Sequence, residues 1–203
     1  MNCYHFYAQT VGNLVEADLL IFTKELHNKI IDNFIHVAAN LIVMGYILPQ
    51  FGITQQFGLF IFASIISSSA LFDSYPLIAN LISDITGEKK ISYDLLLPIP
   101  SWLVFVRIII TGAIQNTIIC MAVVPFGMLF FLHELNFATI QYMPFFGMIL
   151  ISCIFAPAFG LLTASFIQNM QRLSTVWCRF LFPLWYFGGF QFSWTSLHAI
   201  FPT

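Results

Sequence analysis

The sequence predicts an all-α protein that crosses a membrane several times, and three observations carry that reading. Hydrophobic residues make up 59% of the 203 residues and charged ones 8%, against about 25% in ordinary soluble domains, so a solvated globular surface cannot be built from this chain. Its uncharged apolar stretches are long enough for helical spans, each of which needs about 20 residues. All seven Lys and Arg residues (Lys24, Lys29, Lys89, Lys90, Arg107, Arg172, Arg179) fall in or beside three segments that alternate with segments holding none. Positive charge stays on the cytoplasmic side, so the alternation reads as a topology with a cytoplasmic N-terminus. The 24 Phe residues suit an outer surface packed against acyl chains, and Trp102, Trp177, Trp185 and Trp194 sit where interfacial rings are favoured.

The first predicted element is an amphipathic helix. Asn13 and Glu16 have the spacing of an N-cap and its box partner, and Val15, Leu19, Phe22, Leu26 and Ile30 then recur at helical spacing. Glu16, Lys24, Glu25, His27 and Lys29 fill other positions, so residues 1–31 are expected as a cytoplasmic, interfacial helix. Residues 32–203 form the transmembrane domain, with five expected spans. The first covers 33–49, with His36 and Asn40 facing other helices. The second covers 57–83, is longer than one crossing needs, and is expected to kink at Pro76 with its last turns in the cytoplasm. Residues 84–101 are the most polar stretch of the chain and close with Pro98 and Pro100. The third span covers 102–132, with Arg107 snorkelling at its cytoplasmic end and Pro125 inside. The fourth covers 143–167 and contains Pro157 and Gly160. A cytoplasmic turn holds Arg172 and Arg179, and the fifth span runs from residue 180 to Gly188 and Gly189. A partly apolar outer segment ends the chain, which is expected to be a cut-short form of a six-span architecture.

Several chemistries are excluded by missing motifs. There is no GxxxxGK[ST] loop, GxSxG elbow, HExxH or helix-opening GxGxxG, so neither nucleotide hydrolysis nor other catalysis has a seat here, and no cofactor is expected on this chain. Cys3, Cys120, Cys153 and Cys178 are widely spaced and form no ligand set, so they are expected as free thiols in apolar packing. A net charge of −2 with no basic run beyond Lys89 and Lys90 excludes nucleic-acid binding; those two lysines suit anionic lipid headgroups. Asp73 is the one acid deep within a span, a costly placement that often marks a functional path. The expectation is that Asp73 is structural or lines a cavity, hydrogen-bonded by Ser67, Ser68, Ser69, Ser74 or Tyr75.

The stretch ISDITGEKKISYDLLLPIPSWLVFVRIIITGAIQ resembles the permease subunits of type-2 ABC exporters, in which an acidic residue and a glycine precede a Leu-rich, Pro-containing turn before the third span. The matching positions are Asp84, Gly87, Tyr93, Leu95, Leu96, Leu97, Pro98 and Pro100. FPLWYFGGFQFSWTSLHAIFP is similar to the family's fifth span and outer re-entrant segment, through Phe182, Pro183, Gly188, Phe192 and Leu197. The likeness covers residues 14–202 and rests on order and spacing. It implies an inner-membrane permease that pairs with a second permease chain, as a homo- or heterodimer, and with a cytoplasmic ABC ATPase subunit that holds ATP and Mg. It also implies that 84–101 is the coupling segment, with Asp84, Gly87, Glu88, Lys89, Lys90, Tyr93, Asp94, Pro98 and Pro100 as its docking residues, and that Ser67, Ser68, Ser69, Asp73, Gly188 and Gly189 line or seal the translocation path. Family members continue into a sixth span. Alternative expectations are a truncated, non-transporting assembly or regulatory protein and an ion-coupled transporter using Asp73.

Overall fold

The computed structural model describes residues 3–43, 47, 50, 58–87, 90–130, 141–167 and 169–187. It is 92% helix and has no strand among the described residues, as an apolar chain requires when every backbone polar group must be satisfied within its own segment.

Helix α1 is Cys3–Ile42. Residues 3–42 contain no proline and only Gly12, so nothing stops the helix before Asn13. Asn13 and Glu16 therefore lie inside α1, and the cap expected of them does not form, because a capping residue needs a non-helical backbone. The helix also runs unbroken across the boundary expected at residues 31–32, so the two expected parts are one element about 60 Å long at 1.5 Å per residue. Its less exposed face carries Val15, Leu19, Phe22, Leu26 and Ile30, the stripe read from periodicity, and continues through Asn33, Val37 and Leu41.

Helices α2 (Gly58–Phe72) and α3 (Ser74–Thr86) follow one path with a break at Asp73, whose N–H still donates to the Ser69 carbonyl at 3.0 Å. The break lies upstream of Pro76 for a steric reason: the proline ring has no N–H for the carbonyl four residues earlier, that of Phe72, and crowds it. A short helix α4 (Lys90–Leu95) precedes α5 (Ser101–Phe130), which contains Pro125, and α6 (Tyr142–Ser165), which contains Pro157. After a 3-10 turn at Met170–Arg172, α7 (Leu173–Val176) passes through a π-helical turn, Trp177–Leu181, into α8 (Phe182–Phe187), and Phe182 N–H donates to the Trp177 carbonyl five residues back. Glu88, Lys89, Gly188 and Gly189 lie outside the described residues.

Among the described residues, three helical stretches are long and apolar enough to cross a membrane: Phe62–Asp84, Ser101–Pro125 and Tyr142–Ser165. They coincide with the second, third and fourth expected spans. Helix α5 packs against both α1 and α6, and α6 also packs against α2 and α3. One core joins Val37 and Leu41 of α1, Phe62 and Ile66 of α2, Val123 of α5, and Ile149 and Cys153 of α6. A second joins Leu71, Ile78 and Ile82 to Ala164, Val176 and Leu181. Two glycines set how closely helices approach. A Cβ at Gly112 would lie 2.8 Å from Pro157 Cβ, and one at Gly160 would lie 3.1 Å from Leu77 Cδ2, the close crossing small residues permit in membranes. Trp177, expected in the interfacial belt, instead packs against Phe72, Tyr75 and Phe182.

Candidate functional site

The polar segment between α3 and α5 is held from its inner side. Gly87 N–H donates to the Ser83 carbonyl at 2.8 Å and closes α3, and Asp84 Oδ2 accepts from Ile91 N–H at 2.7 Å, tying the first turn of α4 to the end of α3. Pro98 sits in a three-residue turn, with Ile99 N–H donating to the Leu97 carbonyl at 2.7 Å, and Pro100 leads directly into α5. Both prolines fix φ, so the loop has few ways to relax.

The central fastening is Arg107. Its Nη1 donates to Asp94 Oδ2 at 2.7 Å, its Nε donates to Asp18 Oδ2 at 2.8 Å, and its Nη2 lies 2.7 Å from that same oxygen. The residue is only 4% exposed. Arg107 therefore does not snorkel to water; the two carboxylates bring the counter-charge to it, and a planar guanidinium can serve both at once. One side chain on α5 thus joins α1 and α4. Sequence reasoning assigned Asp18 no role, although it lies one helical turn before Phe22 and so on the buried face of α1.

Of the expected docking residues, Asp84 and Asp94 point inward, occupied by Ile91 N–H and Arg107, so neither is a charge offered to a partner. Among the described side chains, the exposed ones from Tyr93 to Pro98 are apolar: Tyr93 is 71% exposed and Leu96 81%, with Leu95, Leu97 and Pro98 also exposed.

Two neighbouring cavities lie beside α1. The outer one, about 400 Å³, is walled by Asp18, Glu25, Asp84, Asp94, Arg107 and Thr111 among others. The inner one, about 370 Å³, reaches Asn33, His36, Phe72, Asp73, Gln115 and Asn116. They share Lys29, Leu77, Asn80, Gly112 and Gln115. Asp73 thus lines a cavity at the helix break. The serines expected to bond it do not: the Ser68, Ser69 and Ser74 hydroxyls donate to the carbonyls of Ile65, Ile66 and Leu71, three residues back, as hydroxyls within helices commonly do. Asp73 Oδ2, Asn33 Oδ1 and Thr111 Oγ1 are buried without a hydrogen-bond partner. His36 Nε2 lies 3.3 Å from Asn40 Nδ2, and its ring meets Phe72 edge-on at 5.2 Å. Ser67 and Ser68 are buried in the bundle, and of the three expected path serines only Ser69 reaches the cavity. Cys120 and Cys153 are free thiols in apolar packing, as expected, with their sulfurs 3.8 Å apart between α5 and α6.

No family model, curated protein or solved structure matches this chain.

Proposed function

We propose that this chain is the permease subunit of a type-2 ABC exporter in the inner membrane, moving its substrate with ATP hydrolysed, with Mg, by a separate cytoplasmic subunit, and pairing with a second permease chain around the path. One observation carries the reading: α4 is clamped to α1, α3 and α5 on its inner side, and α4 with the turn after it presents exposed apolar side chains outward, Tyr93 in the helix and Leu96 in the turn foremost. A permease that binds no nucleotide must receive mechanical work from outside. An element rigidly joined to the two helices leading into the membrane, with an apolar surface for a partner, suits that transfer. In this reading the C-terminal part of α1 is the first span, its N-terminal part is a cytoplasmic stalk, and the fifth span opens near residue 180, in the π-helical turn Trp177–Leu181.

The test is co-purification with the P-loop ATPase encoded nearest to this chain. Replacing residues 88–94 by a Gly/Ser linker, or making the double substitution Tyr93→Asp and Leu96→Asp, is expected to abolish retention of the ATPase while membrane insertion persists. Retention at wild-type level by the double variant would remove α4 as the docking element.

A further inference from the structure

The two apolar cores divide the bundle along its length. The first takes in Ile66 and Ala70 of α2, Cys120 and Val123 of α5, and Ile149 and Ala156 of α6. The second holds Ile78 and Ile82 of α3 and Ala164 of α6, with Ile108 of α5 packed against it. The change from one to the other falls at Gly112 along α5, at Pro157 along α6, and beside Asp73 where α2 gives way to α3.

These three places lie side by side. A Cβ at Gly112 would be 2.8 Å from Pro157 Cβ, and one at Gly160, a turn further along α6, would be 3.6 Å from the Ser74 carbonyl oxygen. One turn of α6 therefore meets α5 at its glycine and α3 at the residue next to the break. The inner cavity of about 370 Å³ occupies the same level, bounded by Asp73, Gly112 and Pro157.

Two of the helices are weak there for the same reason. Pro76 has no N–H for the Phe72 carbonyl and Pro157 none for the Cys153 carbonyl, so α3 at its start and α6 in its middle each lack one bond of the helical ladder, and bending concentrates at such points. The cavity removes the dispersion contacts that would otherwise bind the two cores face to face. Above and below it, close packing keeps each core stiff.

We propose that the bundle is hinged at this layer: the half built on the first core and the half built on the second tilt as rigid bodies about Asp73, Gly112 and Pro157, and the inner cavity widens and narrows as they do. No backbone hydrogen bond has to break at either proline, so the tilt is thermally accessible in the resting protein. It belongs to the bundle alone and is independent of the exporter reading.

The test is the distribution of distances between nitroxide spin labels, measured by double electron–electron resonance in nanodiscs, in a background without native cysteines. Phe105, Ile118, Met148 and Leu162 are exposed positions for the labels. Phe105 with Met148 spans the layer, about 24 Å along the bundle by helix rise. Ile118 with Met148 stays within the first half, and Phe105 with Leu162 within the second, so both labels of the spanning pair also occur in a pair confined to one half. The spanning pair is expected to give a broader or two-peaked distribution and the confined pairs narrow single ones. Pro157→Ala, which restores an N–H to α6, is expected to narrow the spanning distribution. A spanning distribution as narrow as the confined ones, or one that Pro157→Ala leaves unchanged, overturns the hinge. The comparison of the three pairs is made with Pro157 in place and decides the matter even if Pro157→Ala does not fold.

Discussion

Arg107 Nη1 and Asp94 Oδ2 meet at 2.7 Å across the turn that joins α4 to α5, while the same guanidinium holds Asp18 of α1. Two carboxylates share one cation, and the arginine is almost fully buried. The arrangement makes the position of α4 depend on α1, through a carboxylate 89 positions before Arg107 in the chain.

Removing the cation leaves two carboxylates facing each other in a partly buried site. Arg107→Leu is expected to cost about 3–5 kcal/mol, read as a lower midpoint of thermal unfolding in detergent. Arg107→Lys should restore little, because a point charge cannot reach two carboxylates in planar geometry. Asp94→Asn should raise hydrogen exchange over residues 90–97 selectively. Unchanged exchange there would show that Arg107 does not hold α4.

At Gly112 the crossing of α5 and α6 leaves no room for a methyl group, since the Pro157 ring cannot rotate away from a Cβ at 2.8 Å. Gly112→Ala should destabilise by about 1–3 kcal/mol. Gly147, on α6 with nothing within 4 Å of its Cβ position, is the control: Ala there should be neutral or stabilise by up to about 1 kcal/mol. Equal behaviour of the two variants would contradict this packing of α5 on α6.

The Cys120 and Cys153 sulfurs, 3.8 Å apart, should be joined by a membrane-permeant oxidant such as copper phenanthroline in a variant lacking Cys3 and Cys178. An intramolecular cross-link, seen as faster gel migration reversed by dithiothreitol, is the expected result. Absence of the link while both thiols remain alkylatable after denaturation would place the two helices in another register.

Segregation of Lys and Arg predicts the orientation directly. In a background without native cysteines, Cys introduced at Thr54 and Thr139 should react with an impermeant thiol reagent from outside intact cells, and Cys at Glu88 should not. All three positions lie outside the described residues, so the measurement rests on charge distribution alone. Labelling at Glu88 reverses the topology.

Much of this molecule follows from local properties of the chain. The 59% apolar composition and the uncharged stretches determine that it is helical and suited to a membrane, because a backbone in that environment must satisfy its own hydrogen bonds. The buried stripe of α1 and the limits of α5 and α6 were legible for the same reason: helical periodicity and stretch length involve only neighbours in sequence. The false start at Asn13 came from reading a cap where the helix was already formed upstream. What the tertiary structure decided concerns groups whose surroundings come from distant segments. Arg107 carries the same charge whether it snorkels or is buried, and only Asp18 and Asp94, converging from α1 and α4, made burial possible. Asp94 was turned inward by the same contact. Asp73 could be recognised as costly from sequence, but the cavity beside it exists only because α1, the α2–α3 break, α5 and α6 meet around it. The free energy of a buried polar or charged group depends on what other helices place within a few ångströms, and that distance is not written along the chain.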